Sequence, residues 1–335
     1  MSEVQNPVSN AHEKKYARLK QTLDRRLQSL LPQTEPETLY KPARYILSGN
    51  GKRIRPMLAL LAAESVSGDS KNAMNLALAV EVLHNFTLIH DDIMDNADLR
   101  HNRETVHKKW DANIAILTGD MMLAFAYRLV LKTPSENLGA ILGIFTESVI
   151  TVCEGQAFDK EFELRSKVSI DDYLMMISKK TGRLIAASLE LGGLAAGATQ
   201  AQAKVLSRFG ELIGQAFQVQ DDLLDIMAAD NAKFGKRMGG DVIEGKKTFL
   251  LLKGIELTKG KERALLQSVI DGKGIAASRV GEVKAIYEKC GVLAEAKKLI
   301  AQNAKAAEKL VMKLPNKNGR DALLGFTASV MQREF

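Results

Sequence analysis

Apolar residues recur along most of this chain at intervals of three or four positions, the period of an amphipathic helix. A clear example is AEAKKLIAQNAKAAEKLVMKL at residues 294–314. Turn signals separate the helical stretches, and they lie at residues 47–56, 65–72, 132–137 and 228–247. Helices of roughly 15 to 25 residues joined by short loops predict a helical bundle.

The composition agrees with a helical fold, because aromatic residues make up only 5% of the 335 residues and proline occurs 7 times. A hydrophobic content of 46% is ample for a buried core. No turn region has the composition of an interdomain linker. We therefore predict an all-α protein with a single domain over residues 1–335, in which residues 1–10 are flexible.

The chain carries no recognisable targeting segment. Its first residues, MSEVQNPVSN, lack the basic start and apolar run of a secretory signal. No stretch reaches the roughly 20 uninterrupted apolar residues of a membrane span. Cys153 and Cys290 lie far apart and lack the spacing of a zinc site, which argues against a disulfide framework. These features predict a soluble cytoplasmic protein without stable membrane insertion.

The net charge of +7 favours anionic partners, and by itself it leaves nucleic acid, a membrane surface and phosphorylated substrates open. The acidic motifs separate these alternatives. A DDxxD pattern occurs twice, as DDIMD and DDLLD, and its carboxylates are Asp91, Asp92, Asp95, Asp221, Asp222 and Asp225. In each copy the first and last carboxylates are about one helical turn apart and share a face.

Both acidic motifs follow apolar sequence, FTLIH in one case and IGQAFQVQ in the other, so we expect the carboxylates to point into a cleft. Two facing clusters of like charge need cations. Magnesium suits them, because it binds carboxylate oxygens and bridges them to substrate phosphates. A di-iron site is the rival interpretation, but its Glu-x-x-His ligand pairs are missing. An isolated DDxxD could also be a solvated helix face.

Basic residues in turns and near helix ends complete the pattern that a phosphate site requires. They are Lys52, Arg53, Arg55, Arg100, Arg103, Lys179, Lys180, Arg183, Lys236, Arg237, Lys246 and Lys247. Each group alone is weak evidence, but together with two acidic motifs they favour a diphosphate substrate over nucleic acid.

The motifs GKRIRP, DDIMD, KKTG and FQVQDDLLD occur in this order, with both DDxxD motifs among them, and together they resemble the trans-type isoprenyl diphosphate synthases, also called the polyprenyl synthetase family. The resemblance extends from Tyr40 to about the last helix. It implies the type I isoprenoid synthase fold, a bundle of mostly antiparallel helices around a deep central cavity, and a homodimer. It also implies that isopentenyl diphosphate is joined to an allylic diphosphate with the help of three magnesium ions.

The resemblance assigns roles to individual residues. Asp91, Asp95 and Asp221 look like magnesium ligands, and Asp92, Asp222 and Asp225 look like further ligands or supports of those ligands. Isopentenyl diphosphate is expected at Lys52, Arg55, His84 and His101, and the allylic diphosphate at Arg100, Lys180, Lys236 and Lys246. Lys180, Thr181 and Gln218 are expected beside the reacting carbons. Gln156 and Asp159 match an inner-helix motif, with a buried hydrogen-bonding pair as the alternative.

One position departs from the family pattern, because His101 stands where a second arginine often follows Arg100. This change predicts weaker or more pH-sensitive binding of isopentenyl diphosphate, with Arg103 as a candidate for compensation. Outside the resemblance, His84 alone would be interpreted as a core histidine.

Chain length is expected to depend on Phe86, which lies five positions before the first aspartate and, in the resemblance, blocks the growing tail. A bulky residue there favours products of fifteen or twenty carbons, and the missing insertion in the first motif favours twenty. The small Thr87 lies on the strict i−4 stripe below Asp91, which keeps a longer product of thirty carbons or more as the alternative. A class I terpene cyclase and a noncatalytic regulatory subunit are further rivals, disfavoured by DDLLD and by the two intact motifs.

Overall fold

The structure is a computed structural model that describes residues 7–227 and 239–331. Its first helices are α1 (Pro7–Gln28), α2 (Glu37–Leu47), α3 (Ile54–Ser67), α4 (Met74–Met94), α5 (Val106–Lys109) and α6 (Ala112–Leu131). The central helices are α7 (Leu138–Leu164), α8 (Ile170–Ile177), α9 (Arg183–Ala195) and α10 (Gln200–Met227). The last helices are α11 (Gly240–Ile243), α12 (Phe249–Leu257), α13 (Gly260–Asp271), α14 (Val280–Cys290), α15 (Val292–Val311) and α16 (Lys317–Met331).

Five shorter elements complete the described chain. Single turns of 3₁₀ helix lie at Lys71–Ala73 and Ala277–Arg279, and a π-helical segment at Ser178–Gly182 joins α8 to α9. Strands β1 (Leu99–Arg100) and β2 (Arg103–Glu104) form an antiparallel hairpin. The predicted all-α class is therefore confirmed. The flexibility of residues 1–10 stays a prediction; α1 begins at Pro7, and residues 1–6 lie outside the described residues.

Local sequence explains where several helices begin and end. The Asp111 side chain accepts a hydrogen bond from the backbone N–H of Ile114 at the start of α6. Ser169 and Asp172 form a reciprocal capping box at the start of α8. Gly68 ends α3 in the left-handed region, where φ is 83°. Polar caps and a terminal glycine thus set the boundaries that the turn signals predict.

The chain divides into two compact units. The first comprises the described residues up to Thr146 together with Ala187–Ser207 and Val311–Ala328, and its core includes completely buried leucines such as Leu60, Leu61 and Leu76. The second comprises Glu147–Ala186, Arg208–Leu310 and the residues from Ser329 onward. Its core gathers apolar residues of α8, α10, α12, α13 and α14. The single domain inferred from sequence remains a prediction.

Two helices are unusually apolar. By length and composition, α6 and α7 could each cross a membrane, with mean hydropathies of 1.7 and 1.5 in their most apolar windows. Only 44% and 28% of those windows are buried. Core helices of soluble proteins pass the same test, so the test alone is weak evidence for a membrane. Instead, the low burial indicates exposed apolar surface.

Candidate active site

The first acidic motif lies at the end of α4. Asp91 is partly buried and Asp95 is exposed, whereas Asp92 is only 1% exposed and accepts a 2.6 Å hydrogen bond from Arg100 Nε. Burial raises the pKa of Asp92, although the Arg100 charge opposes the shift. The middle carboxylate is thus tied to the predicted diphosphate-binding arginine, while the outer two lie one turn apart.

The β1–β2 hairpin presents Arg100 and turns through His101 and Asn102, whose φ angles are 51° and 59°. Positive φ at both central positions defines a type I′ turn, and His and Asn tolerate this region better than most residues. The Arg103 guanidinium stacks over the Tyr45 ring at 4.0 Å and donates to the Tyr45 carbonyl at 3.0 Å. Arg103, the residue expected to compensate for His101, therefore attaches the hairpin to α2.

Arg55 and His84 form the centre of the predicted isopentenyl diphosphate site. Arg55 Nη1 lies 3.1 Å from His84 Nε2. Burial lowers the pKa of Arg55 to about 10, and burial together with the Arg55 charge holds the pKa of His84 well below its ordinary value. His84 is therefore neutral near pH 7, and its Nε2 accepts the Arg55 proton. Among the described residues, Arg55 Nε is buried without a hydrogen-bond partner.

The loop before α3 separates two basic residues that sequence grouped together. Lys52 is exposed at its surface, whereas Arg53 is 6% exposed and points inward. Sequence reasoning counted Arg53 among phosphate-binding candidates. Its observed partners, Asp24 and Glu81, were not singled out, because they lie 29 and 28 residues away in the chain.

The two chain-length candidates differ in their surroundings. Phe86 is 7% exposed, and its ring meets that of His90 edge to face with centroids 4.7 Å apart. His90 in turn lies against Gly119 of α6, where an added Cβ would come within 2.3 Å of its Nε2. Thr87 is partly buried and donates its hydroxyl to the His84 carbonyl at 2.8 Å. Phe86 is thus the bulky and braced residue of the pair.

The second acidic motif lies near the end of α10. Asp222 is 4% exposed and accepts hydrogen bonds from Tyr173 Oη at 2.6 Å and from the backbone N–H of Phe249 at 3.2 Å. Burial and the charge of Asp241 raise the pKa of Asp222 well above its ordinary value. Asp222 therefore joins α8, α10 and α12. These contacts favour a supporting role over direct metal ligation.

Asp225 receives support from a residue that sequence reasoning missed. The backbone N–H of Asp241 donates to Asp225 Oδ2 at 3.1 Å, and the backbone of Gly239 donates to the Asp225 carbonyl at 2.9 Å. The predicted diphosphate ligand Lys246 lies 3.4 Å from Asp241 and 2.8 Å from Glu244. The GGD sequence before α11 was the available signal for Asp241. Lys236 lies outside the described residues.

The π-helical segment carries the predicted catalytic residues. Lys180 Nζ lies 2.5 Å from Asp159 Oδ2, and Thr181 Oγ1 donates to Gln218 Oε1 at 3.1 Å. Gln218 Nε2 in turn reaches Asp222 Oδ1 at 3.5 Å. The structure therefore links Thr181 through Gln218 to Asp222 of the second acidic motif, whereas Lys180 pairs with Asp159 of α7. A π-bulge at this point is typical of a functional site.

Glycines on both flanking helices allow this segment to pack closely. A Cβ at Gly155 of α7 would lie 2.3 Å from the Lys180 backbone nitrogen, and one at Gly214 of α10 would lie 2.6 Å from Gly182 Cα. The neighbouring Gln156 is 8% exposed, and both of its side-chain polar atoms are buried without a partner in the described chain. The alternative of a buried Gln156–Asp159 pair is therefore wrong, since Asp159 pairs with Lys180.

The carboxylates fit magnesium as a partial ligand set. Within the described ranges, no group of three or more His, Cys, Asp or Glu residues lies close enough to enclose a metal ion. Magnesium does not need such a group, because it keeps several waters and shares its remaining positions with substrate phosphates. The outer aspartates of each motif, one turn apart and only partly buried or exposed, supply the oxygen donors that it prefers.

Comparison with known proteins agrees with this chemistry. The model of the polyprenyl synthetase family matches residues 36–290. The chain is 36% identical over 312 residues to a short chain isoprenyl diphosphate synthase of Methanothermobacter thermautotrophicus, covering 93% of this chain and 95% of the relative. It is 41% identical over 252 residues to a geranylgeranyl diphosphate synthase of Methanosarcina mazei, covering 73% and 78% of the two chains.

A solved structure extends the similarity to three dimensions. The crystal structure of a geranylgeranyl pyrophosphate synthase superposes with a TM-score of 0.89 at 39% identity, covering 96% of this chain and 99% of the other. The predicted isoprenoid synthase fold is therefore confirmed.

Proposed function

The chain belongs to the polyprenyl synthetase family, and we propose that it joins isopentenyl diphosphate head-to-tail to an allylic diphosphate in a magnesium-dependent reaction. It is a short-chain trans-prenyltransferase. The observation that carries the proposal is the partly buried Arg55–His84 contact together with two DDxxD motifs whose outer carboxylates are partly buried or exposed. These are the charges that two diphosphate substrates require.

Isopentenyl diphosphate is proposed to bind at Lys52, Arg55 and His84, with His101 at the edge. Because neutral His84 accepts one Arg55 proton, the guanidinium is oriented and its buried Nε remains for an anion. Lys52 adds an exposed charge beside it. This arrangement holds the diphosphate and leaves the double bond of the substrate to face the second reactant.

The allylic diphosphate is proposed to bind at Arg100, Lys180, Lys236 and Lys246 and at magnesium held by Asp91, Asp95 and Asp221, with Asp92, Asp222 and Asp225 in support. Three magnesium ions held by these carboxylates would neutralise the diphosphate and make it a better leaving group. Arg100 and Lys180 approach it already oriented by Asp92 and Asp159. The carbon–oxygen bond of the allylic substrate then breaks to give an allylic cation and diphosphate.

Thr181 and Gln218 are proposed to face the allylic cation. The Thr181 hydroxyl gives its proton to Gln218 Oε1, so the lone pairs of Thr181 Oγ1 remain for the positive charge. The double bond of isopentenyl diphosphate attacks this cation to form the new carbon–carbon bond. A proton is then lost to the released diphosphate. No step of this scheme forms a bond between protein and substrate, so the protein needs no covalent nucleophile.

The product is proposed to contain fifteen or twenty carbons, with twenty favoured by the two geranylgeranyl-named proteins to which the chain is similar. Phe86 is the proposed floor of the tail site, supported by its burial and by its contact with His90. Cys153 and Cys290 are not joined in a disulfide, which supports the proposed cytoplasmic location.

We propose that the protein is a homodimer, and the apolar exposed face of α6 supports this. Ile116, Leu117 and Leu131 are 43%, 56% and 56% exposed. Large exposed apolar side chains on one helix are typical of a surface that another protein covers.

The test is elongation by purified protein supplied with isopentenyl diphosphate and dimethylallyl, geranyl or farnesyl diphosphate, with and without magnesium. Mass spectrometry of the dephosphorylated products should reveal a magnesium-dependent series that ends at fifteen or twenty carbons. Asp91→Ala and Asp221→Ala should each reduce turnover by at least about 100-fold with unchanged helical circular dichroism.

Asp98→Asn is the matched control, because Asp98 is an exposed carboxylate three residues after Asp95 and pairs only with Lys108 among the described residues. Its turnover should equal that of the wild type. A product series that ends at thirty carbons or more would retain the reaction and reject Phe86 as the floor. No elongation with any starter would contradict the proposed function and favour a cyclase or a partner-dependent subunit.

A further inference from the structure

Arg53 is the basic residue of the GKRIRP sequence that faces the protein interior. It precedes α3 in the left-handed region, with φ of 53° and ψ of 40°, which is uncommon for a residue other than glycine. Its guanidinium donates to Asp24 Oδ1 at 2.9 Å, Glu81 Oε1 at 2.7 Å, the Leu47 carbonyl at 3.0 Å and the Gly49 carbonyl at 2.6 Å. Most of its donors are therefore satisfied by the protein itself.

The charges of Asp24, Arg53 and Glu81 form an interior group, which we call the Arg53 cluster. Burial lowers the pKa of Arg53, but the Glu81 charge and the hydrogen bonds that Arg53 donates to both carboxylates outweigh it and raise the pKa. Burial likewise opposes ionisation of Asp24, yet hydrogen bonds from Lys20 and Arg53 lower its pKa. Asp24 and Arg53 therefore each stabilise the charged form of the other.

The Arg53 cluster connects separate elements to one short loop. Asp24 lies on α1 and Glu81 on α4, whereas the carbonyls belong to Leu47, the last residue of α2, and to Gly49 in the loop before α3. A planar guanidinium with several fixed acceptors sets both position and orientation, which a lysine cannot do. The cluster therefore fixes the backbone at the point where the chain turns into α3.

The residues on either side of Arg53 are those proposed to hold isopentenyl diphosphate. Lys52 directly precedes Arg53 and is exposed, and Arg55 follows it in the first turn of α3 with its Nη1 against His84. The left-handed backbone at Arg53 directs its own side chain inward. The side chains of Lys52 and Arg55 therefore point in other directions. The distance between Lys52 and Arg55 and the directions of their side chains depend on the backbone conformation that the Arg53 cluster stabilises.

We propose that Arg53 is a positioning residue for isopentenyl diphosphate, and that Asp24 of α1 controls the affinity for this substrate through it. The inference rests on the proposed function, because it takes Lys52 and Arg55 as the diphosphate ligands. Arg53 makes no contact with substrate in this scheme. It acts by presenting the two cations at the spacing that a diphosphate requires.

The test is steady-state kinetics of Asp24→Ala and Asp24→Asn, with each substrate varied at saturation of the other. Both variants should raise the KM for isopentenyl diphosphate by about 10- to 100-fold, a range typical of misplaced binding groups. The kcat and the KM for the allylic diphosphate should stay within about twofold of the wild type. Asp24→Glu, which keeps the charge, should recover part of the affinity.

Lys20→Met is the matched control. Lys20 Nζ lies 2.6 Å from Asp24 Oδ2, so this change removes the other ion-pair partner of Asp24 and leaves its bond to Arg53. The KM for isopentenyl diphosphate should not change in this variant. An equal increase after Lys20→Met would assign the effect to general loosening of α1 and contradict the inference.

The remaining outcomes are distinct. A lower melting temperature of the Asp24 variants with an unchanged KM for isopentenyl diphosphate would leave the cluster only a structural role and overturn the proposal. Equal increases in the KM for both substrates would do the same. Absence of wild-type turnover would reject the proposed function and this inference with it, whereas wild-type turnover with insensitive Asp24 variants rejects the inference alone.

Discussion

Side-chain direction within the two DDxxD motifs follows from helical geometry at the level of single residues. Adjacent positions on a helix do not face each other, so the second aspartate of each motif leaves the face that the outer two share. Asp92 and Asp222 are accordingly buried, and they bind Arg100 and Tyr173. The motifs are visible in the sequence, and the helical period already separates the two outer aspartates of each motif from the buried second one.

Other residues could not be assigned from sequence because their role depends on distant partners. The sequence favours Arg53 as a phosphate ligand. In the structure its backbone is left-handed, and its side chain binds Asp24 and Glu81 instead. Arg103 similarly appeared able to compensate for His101, yet it is stacked on Tyr45. A basic residue in a turn predicts an anion site, but only the fold determines which basic residues remain for the anion.

The Arg55–His84 contact predicts a specific pH dependence of stability. The pKa of His84 in the folded protein lies well below the ordinary 6.5. Below pH 6.5 the unfolded chain therefore binds a proton at His84 that the folded chain does not bind. The free energy of unfolding should therefore fall as pH decreases from about 6.5, with His84 contributing up to about 1.4 kcal/mol per pH unit.

His84→Gln tests this contribution, because glutamine keeps an acceptor for Arg55 and cannot titrate. Urea unfolding of both proteins at pH 7.5, 6.5 and 5.5 should give a shallower pH dependence for the variant. Parallel curves would show that His84 has the same affinity for protons in the folded and unfolded chain. Such a result would remove the argument that it is a neutral acceptor.

Phe86 gives the second prediction at this scale. Phe86→Ala should lengthen the main product by at least one five-carbon unit, because it removes the proposed floor and leaves space beside His90. Mass spectrometry of the dephosphorylated products measures the distribution directly. Thr87→Phe is the comparison, since it adds bulk on the neighbouring stripe of α4. Shorter products from Thr87→Phe with an unchanged Phe86→Ala distribution would move the floor to Thr87.

Among the elements, the loops and ordinary helices were predictable and the π-helical segment was not. The turn signal at residues 132–137 matches the gap between α6 and α7, because proline, serine and asparagine act locally. The Ser178–Gly182 segment depends instead on close contact with two other helices. The sequence SKKTG does not by itself specify a π-helix. The role of Gly155 and Gly214, which is to allow close packing, can be recognised only from their contacts with this segment.

This packing predicts that Gly155→Ala reduces kcat far more than an ordinary glycine-to-alanine substitution in a helix does. The new Cβ would lie 2.3 Å from the Lys180 backbone nitrogen, so the segment carrying Lys180 and Thr181 must shift. A displacement of that size should reduce kcat by about 100-fold. Steady-state kinetics with saturating substrates measures the effect.

Gly143→Ala on the same helix is the control, because a Cβ there has no neighbour within 4 Å in the described structure. It should keep wild-type kcat and raise the free energy of unfolding by about 0.5 to 1 kcal/mol, the usual gain over glycine inside a helix. Equal kcat values for the two variants would show that the close contact at Gly155 does not position the catalytic segment.

For the whole molecule, the helical period and the low aromatic content predicted the all-α class, and the comparisons confirm the fold. Sequence did not predict the division into two compact units, because each gathers segments far apart in the chain. It also gave no means to tell a buried apolar helix from an exposed one. That distinction appears only with the burial of α6, whose most apolar window is less than half buried.

The exposed face of α6 predicts that association depends on this helix. Leu117→Glu should convert the proposed dimer into a monomer, because the new charge would have to be buried in the interface without a partner. Size-exclusion chromatography with light scattering should show the mass falling by half. Leu257→Glu is the matched control, since Leu257 is 43% exposed on α12, and its variant should keep the dimer mass. A dimer that survives Leu117→Glu would assign the interface to another surface, and wild-type protein that floats with lipid vesicles would instead assign the α6 face to a membrane.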